Sequence, residues 1–397
     1  MQHKYFIMLK GFQFSGVPDI RFGPGKISTL PESIYQFGKK ALIVSGGGSF
    51  LNSKKGKNII NMLRSEDLSL TMVAIGSEPS PQDIDHIVKE YREEEFEAVI
   101  SIGGGSVIDS GKAISAMMTV EGNTRDYLEG VGTMKHHGSK VPFIAIPTTS
   151  GTGSEATKNA VLSEIGKNGY KKSLRHDNFV PNLAIVDPEL TLSCPPAITA
   201  SSGMDAFTQL LESYVSYKAS IMTDSLVFEG LKYLKNGLLP ACSNAWDLEA
   251  RTSMAYASMV SGIALANAGL GIVHGFASSI GGYFNIPHGV VCTALMANAV
   301  EITTEKLFLS NPEHVALKKY ADVGRIFSGT RDKNDQYYVQ SLVNVLHDYS
   351  SQLNVQKLSE YGVNEKHFSA IIAKTSNKMN PIVLEKEDLV RILEKSL

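Results

Sequence analysis

Cysteine is scarce in this chain: Cys194, Cys242 and Cys292 stand far apart. Three such residues make neither a disulfide framework nor a zinc knuckle, and they suit a reducing cytoplasm. An excess of one charge is also lacking. Lys and Arg total 38 against 40 Asp and Glu, a formal net charge of -2. No polybasic footprint therefore argues for nucleic acid or an anionic membrane. Long unbroken apolar runs are missing, so no bilayer span is expected. Met1-Gln2-His3-Lys4-Tyr5 carries no signal-peptide pattern. No cluster of arginines marks a phosphate or carboxylate pocket. What is present is 397 residues with 43% hydrophobic and 20% charged content, enough for two soluble domains with a large core.

The first half alternates short apolar runs with helical patterns. Ala41-Leu42-Ile43-Val44 ends at Gly46-Gly47-Gly48, and Ala98 to Ile102 ends at Gly103-Gly104-Gly105. Leu70 to Ile75, Phe143 to Ile146 and Leu183 to Val186 are similar. Short, nearly continuous runs suit strands buried on both faces of a parallel sheet. From Ser80 to Glu94, Ile84, Ile87, Val88 and Tyr91 recur at helical spacing behind a Ser-Pro start. From about Thr191 helical patterns dominate. The expectation is an α/β domain over residues 1–190 and an all-helical domain over 191–397.

Three loops could cradle phosphate or ribose. Gly103-Gly104-Gly105-Ser106 follows a strand and opens a helix, where backbone N–H groups and the helix N-terminus favour an anion. Alone it is equally an ordinary strand–helix turn, and it is neither a Walker A loop nor Gly-x-Gly-x-x-Gly. Thr148-Thr149-Ser150-Gly151-Thr152 supplies small hydroxyl donors after another strand. Two such loops at neighbouring strand ends reinforce each other, since open α/β sheets bind ligands there. The Gly46-Gly47-Gly48-Ser49 turn carries no carboxylate to accept from a ribose 2′-hydroxyl, and Lys54-Lys55 follow. That leans toward NADP over NAD, although the lysines could equally solvate a helix start.

The helical half offers metal ligands. Asp205, Gln209 and Glu212 form one stripe of a helix whose other stripe is Ala206, Leu210, Leu211 and Tyr214. A carboxylate with a second donor at i+4 can hold a metal, though a solvent-facing stripe reads the same way. His274 lies in Gly271-Ile272-Val273-His274-Gly275, and Pro287-His288-Gly289 stands fourteen residues on. A lone histidine in an apolar helix is commonly a core residue; the conjunction is what suggests a divalent cation.

Taken in order, these pieces resemble the iron-containing (group III) alcohol dehydrogenase family over essentially the whole chain. They are Arg21-Phe22-Gly23-Pro24-Gly25; Gly103 to Ser106 with Asp109 and Lys112; Pro147 to Glu155; Asp187-Pro188-Glu189-Leu190; Gly203-Met204-Asp205-Ala206; Asn267 to Gly275; and Pro287-His288-Gly289. The resemblance implies a dinucleotide-binding α/β domain, a helical domain and an active site in the cleft between them. It also implies NAD(P)-dependent oxidation of an alcohol to an aldehyde or ketone, with Fe²⁺ or Zn²⁺ polarising the substrate oxygen. A dimer or larger homo-oligomer follows from it too. Asp109 falls among the cofactor-side positions. Three of the family's metal positions match Asp205, His274 and His288. The remaining ligand histidine falls at Gln209, and the histidine tied to proton transfer falls at Ser278.

Glutamine is a weaker ligand than imidazole, yet three protein ligands suffice for a catalytic zinc. Serine cannot replace histidine as a base near neutral pH. Two other readings fit the same motifs: a lyase of the dehydroquinate synthase type using NAD transiently, and a nucleotide-binding protein whose metal site has decayed.

Overall fold

The computed structural model describes residues 11–48, 50–76 and 78–397; Ser49 and Met1–Tyr5 lie outside the described residues. Six parallel strands form the main sheet: β1 (Asp19–Phe22), β2 (Lys40–Gly46), β3 (Ser69–Ile75), β4 (Ala98–Gly103), β5 (Phe143–Pro147) and β8 (Leu183–Val186). Between β5 and β8 the chain makes an antiparallel ribbon, β6 (Asn159–Glu164) and β7 (Tyr170–Arg175). Helices α1 (Leu30–Tyr35), α2 (Lys54–Arg64), α3 (Pro81–Tyr91) and α4 (Gly105–Met117) connect the strands.

Strands β4, β5 and β8 are buried along their whole length, which their continuous apolar sequence requires. Helix α3 starts where the Ser80-Pro81 pair predicts. Ser80 Oγ accepts from Asp83 N at 3.1 Å, and Asp83 accepts from Ser80 N at 2.9 Å, a reciprocal cap.

The strand order is β1-β8-β5-β4-β2-β3. From β2 the chain steps outward to β3, then crosses back to β4 and continues through β5 to β8. The direction of winding therefore reverses between β2 and β4. Ser45 lies opposite Ile102, so the Gly46 and Gly103 turns sit side by side at that switch point, where such sheets open a ligand crevice.

After Val186 the described residues contain helices and short 3-10 turns only. These are α5 (Pro196–Val215), α6 (Ile221–Ser243), α7 (Leu248–Ala268), α8 (Ile272–Tyr283), α9 (His288–Ser310), α10 (Val315–Ser328), α11 (Asp335–Gln352), α12 (Phe368–Lys374) and α13 (Lys386–Lys395). No single described helix is long and apolar enough to cross a membrane. The α/β and helical halves share a core: Ala184 and Val186 of β8 pack in one cluster with Met204, Phe207 and Leu210 of α5. The halves also approach closely at Gly153 and Gly262, where a Cβ on Gly153 would stand 2.5 Å from Gly262 N.

Candidate metal and dinucleotide cleft

A cleft of about 790 Å³ runs between the C-terminal edge of the sheet, the β6–β7 ribbon and the helical half. Gly105, Ser106, Asp109 and Thr152 line it from the sheet side, and Gln209, His274, Ser278 and His288 from the helical side. The two groups of residues singled out in the sequence thus meet across one space.

On the sheet side, α4 begins at Gly105 with Gly104 as its extended cap, so its first N–H groups have no intrahelical acceptor. A Cβ on Gly105 would meet Thr152 Cγ2 at 2.6 Å, and one on Gly104 would meet Thr149 Oγ1 at 3.4 Å. Thr148 N donates to Gly103 O at 2.9 Å. The loops after β4 and β5 therefore interlock, and glycine allows the approach. Ser150 Oγ is buried without a hydrogen-bond partner, a donor of the kind a phosphate or ribose would satisfy.

Asp109 is used differently. It accepts from Ser154 Oγ and, at 3.0 Å, from Val161 N. Beside it the fully buried Lys112 donates to Ser154 O, Thr157 Oγ1 and Asn159 O at 2.8–2.9 Å. Both carboxylate oxygens are occupied, so Asp109 braces the loop that carries Thr152. Gly46, Gly47 and Gly48 close β2 beside the Gly103 turn, at the margin of the residues that line the cleft. Lys55 pairs with Glu189, leaving Lys54 as the exposed cation of that turn without an acidic partner among the described residues.

On the helical side, the Asp205–Gln209–Glu212 stripe is buried, not solvent-facing: the three residues are 2%, 3% and 7% exposed. Helix α5 packs its apolar stripe on α6 and α7 while this polar stripe turns toward the starts of α8 and α9. His274 is in the first turn of α8, and His288 is the first residue of α9 after the cap Pro287. Glu212, whose role the sequence did not reveal, accepts from Val273 N at 2.7 Å and pairs with His274 Nδ1 at 2.7 Å. That contact holds Nδ1 against a carboxylate and directs Nε2 inward, where a bound cation would find its lone pair.

His274 Nε2 lies 3.3 Å and His288 Nε2 3.6 Å from Asp205 Oδ1, an oxygen that is buried and makes no hydrogen bond. A fourth donor, absent from the sequence reading, completes the group. Cys292 Sγ is 3.8 Å from His274 Nε2 and 3.7 Å from His288 Nε2. The four donor atoms lie within 4.8 Å of one another. The spacing His288–Cys292, one helical turn, was the available signal.

Gln209, left open as a ligand, has both ends of its amide engaged by protein groups. Its carbonyl accepts from Ser261 Oγ at 3.1 Å, and its amide group contacts Asp205 Oδ2 at 3.4 Å. Ser278 Oγ donates to His274 O at 2.9 Å and accepts from Lys378 Nζ at 3.3 Å.

The electrostatics are those of converging acceptors. Burial would raise the Asp205 carboxyl, but His288 and His274 bring it down to about 2. Burial opposes the His274 imidazolium, yet Cys292, Asp205 and Glu212 carry its pKa well above the ordinary value. Burial pushes His288 down to about 4 and the Cys292 thiol up to about 11. A bound divalent cation reverses this local logic, because its charge deprotonates a coordinating thiol. A carboxylate oxygen, two imidazole nitrogens and a sulfur around one small space fit such a cation.

Sequence models described as iron-containing alcohol dehydrogenase and as the C-terminal part of the Fe-containing alcohol dehydrogenase family match residues 18–188 and 199–397. The chain belongs to the iron-containing alcohol dehydrogenase family. It is 31% identical over 389 residues to alcohol dehydrogenase 4 of Saccharomyces cerevisiae, covering 96% of this chain and 97% of that protein. It is also 31% identical to an NADPH-dependent butanol dehydrogenase of Clostridium saccharobutylicum, covering 95% of each. The crystal structure of a 1,3-propanediol oxidoreductase superposes with a TM-score of 0.87 at 27% identity, over 98% of this chain and all of that one. Against the one-Asp, three-His pattern that the family resemblance implies, this chain brings together Asp205, His274, His288 and Cys292.

Proposed function

We propose that this chain is an NAD(P)-dependent alcohol dehydrogenase, running in reverse as an aldehyde reductase, with Asp205, His274 and His288 as metal ligands and Cys292 as fourth donor. The observation that carries this reading is the convergence of those four donor atoms, two of them on His274 and His288 at the wall of the cleft that also receives the α4 N-terminus. When bound, the cation supplies Lewis acidity toward the alcohol oxygen, and the nicotinamide supplies the hydride acceptor.

The chain's own residues hold the geometry. Glu212 fixes the tautomer and tilt of His274, and the 2.7 Å bond between them leaves Nε2 toward the centre. Gln209 supports Asp205 in place of coordinating. The α4 N-terminus, Gly104, Gly105, Ser106, Thr149, Ser150 and Thr152 receive the dinucleotide phosphates. Asp109 and Lys112 keep that loop closed. Ser278 has both its donor and its acceptor engaged, so it seats Lys378 and does not titrate.

A thiolate among the donors favours zinc over iron, since softer ligands select zinc from oxygen- and nitrogen-preferring ions. NADPH is the preferred dinucleotide in this reading, supported by the lack of a carboxylate at Gly46–Gly48 and by the exposed Lys54. A cytoplasmic location and a dimer or larger assembly belong to the same proposal; the exposed Leu309 and Val315 offer apolar surface for association. Membership in the dehydrogenase family weighs against a dehydroquinate synthase type of lyase and against a decayed site.

The test is metal analysis of protein purified without chelator, followed by turnover of an aldehyde panel with NADH and NADPH. Zinc near one equivalent and stoichiometric NADPH oxidation are expected. Turnover at full rate with no metal above trace would overturn the site, and a clear NADH preference would overturn the dinucleotide assignment.

A further inference from the structure

The cleft contains more cations than its carboxylates balance. On β7, Lys171 is answered by Glu78 at 2.5 and 2.7 Å, and Arg175 stands 3.5 Å from Glu129. Lys172 and Lys378 also line the cleft, and neither has an acidic partner among the described residues.

Lys378 is unusual in its backbone as well. Its φ is +47°, a left-handed conformation that costs an L-residue roughly 1–2 kcal/mol and for which glycine or asparagine is the ordinary choice. The conformation is imposed from both sides. Met379 N donates to Leu270 O at 2.8 Å, and a Cβ on Gly275 would meet Ser376 O at 2.1 Å. A lysine held at such a position, with its ammonium reaching Ser278 Oγ one turn from His274, points to a functional use of its charge. The side chain is open to the cleft, whose walls crowd it. Burial of the ammonium pushes its pKa down to about 8, Glu212 pulls the other way, and Arg175 and Lys172 add repulsion.

Lys378 is bonded to α8 on the helical side of the cleft, whereas the phosphate cradle at the α4 N-terminus lines the same cleft from its sheet side. A neutral short alcohol would leave these charges unanswered.

We propose that Lys378 and Lys172, backed by Arg175, form a subsite for an anionic group on the substrate. The substrate is then a short aldehyde or alcohol bearing a carboxylate, sulfonate or phosphonate at its far end. This proposal rests on the dehydrogenase reading above for its chemistry but not for its binding. An anion within reach of two ammonium groups gains charge-assisted hydrogen bonds that a methyl terminus cannot make.

Binding and turnover are measured separately on the metal-loaded enzyme. Calorimetry with 4-hydroxybutyrate, 2-hydroxyethylsulfonate and 2-hydroxyethylphosphonate, against 1-butanol, reads the subsite without chemistry. Steady-state rates with succinic semialdehyde, sulfoacetaldehyde and phosphonoacetaldehyde, against butanal, read its effect on catalysis. At least one anionic ligand should bind more tightly than butanol, and its aldehyde should show a kcat/KM roughly 10- to 100-fold above that of butanal. The three arms identify which anion the site prefers.

In K378M and K172M the ratio of anionic to neutral kcat/KM should fall by a similar factor, carried mainly by KM. K378R should restore part of it, since the charge returns. Anionic ligands binding no better than butanol would overturn the proposal. So would a rise in the dinucleotide KM with the aldehyde ratio unchanged. Tight anion binding that K378M abolishes, in an enzyme that turns over no aldehyde, would sustain the subsite and sink the dehydrogenase reading.

Discussion

The residue that most alters the reading of this site is Cys292. In the sequence it was one of three scattered cysteines, and nothing in its spacing from Asp205 or His274 indicated contact. The fold brings its sulfur within 3.8 Å of both inward-facing imidazole nitrogens. The test is spectroscopic. Cobalt(II)-substituted enzyme should show a thiolate-to-metal charge-transfer band in the near ultraviolet, and C292S should lose it while keeping the visible d–d bands. C292S should also bind zinc roughly 10- to 100-fold more weakly, the size seen when a supporting group at a metal site is removed. An unaltered near-ultraviolet spectrum in C292S would remove Cys292 from the donor set.

Lys378 carries a second prediction at this scale, in pH. Its pKa, near 8, lies below the ordinary lysine value, so it is charged below about 8 and neutral above. The groups that face it are Glu212, Arg175, Cys292 and Lys172, with Ser278 in hydrogen-bond reach. The KM for an anionic aldehyde should therefore rise as pH climbs through about 8, while that for butanal follows the enzyme's general profile. In K378R the rise should move well above pH 9, because guanidinium keeps its charge there. A ratio of the two KM values that is flat from pH 7 to 9.5 would contradict this role.

At the scale of elements, legibility followed periodicity. The apolar runs of β2, β4, β5 and β8 announced buried parallel strands, and the Ser80 cap announced α3. The ribbon β6–β7 was silent because neither strand alternates cleanly: β6 buries Asn159, Ala160, Leu162 and Ser163, on both of its faces. In Tyr170–Arg175 Leu174 alone is fully buried, and lysines and an arginine surround it. That polar surface is the wall that supplies Lys171, Lys172 and Arg175 to the cleft, so the missed element and the missed cations have one cause. The α5 stripe was ambiguous for a different reason. Periodicity reports two faces but not which neighbour each will meet, and here α8 and α9 cover the polar one.

The contact between the Thr148–Ser154 loop and α7 gives this scale its prediction. Gly153 has φ +61°, and a Cβ there would stand 2.5 Å from both Gly262 N and Ser258 O, which are backbone atoms that cannot swing aside. Gly153→Ala combines the left-handed penalty with a forced shift, together roughly 3 kcal/mol. That should lower Tm by roughly 6–12 °C if the helical half melts as one unit. Gly329→Ala separates the two causes, since Gly329 also has positive φ, +66°, but open space around it. It should lose only the conformational part, roughly 1–2 kcal/mol. Equal losses in the two variants would mean that the loop–α7 contact yields without cost.

On the scale of the whole molecule, the alternation of strands and helices followed by a helical half was readable from pattern alone. The family resemblance carried the reaction class. What no pattern could give was the joint between the halves. Ala184 and Val186 of β8 share a core cluster with α5, and one cleft collects residues from position 78 to position 379. The proposed ligands come from three helices: Asp205 midway along α5, His274 in the first turn of α8, and His288 with Cys292 in the opening turns of α9. An ion held by all three ties elements that are otherwise joined by packing, and it binds only when they are in place. It should therefore stabilise the native state by mass action, about 2.7 kcal/mol at a free concentration one hundred times Kd. For a helical half of this size that is roughly 5–10 °C in Tm. Removing metal with chelator should lower the melting temperature by that amount, and restoring zinc should recover it. In H274A the chelator should have little effect, because the site has already lost a donor that Glu212 orients. A chelator effect as large in H274A as in the parent enzyme would place the stabilising ion somewhere other than this cluster.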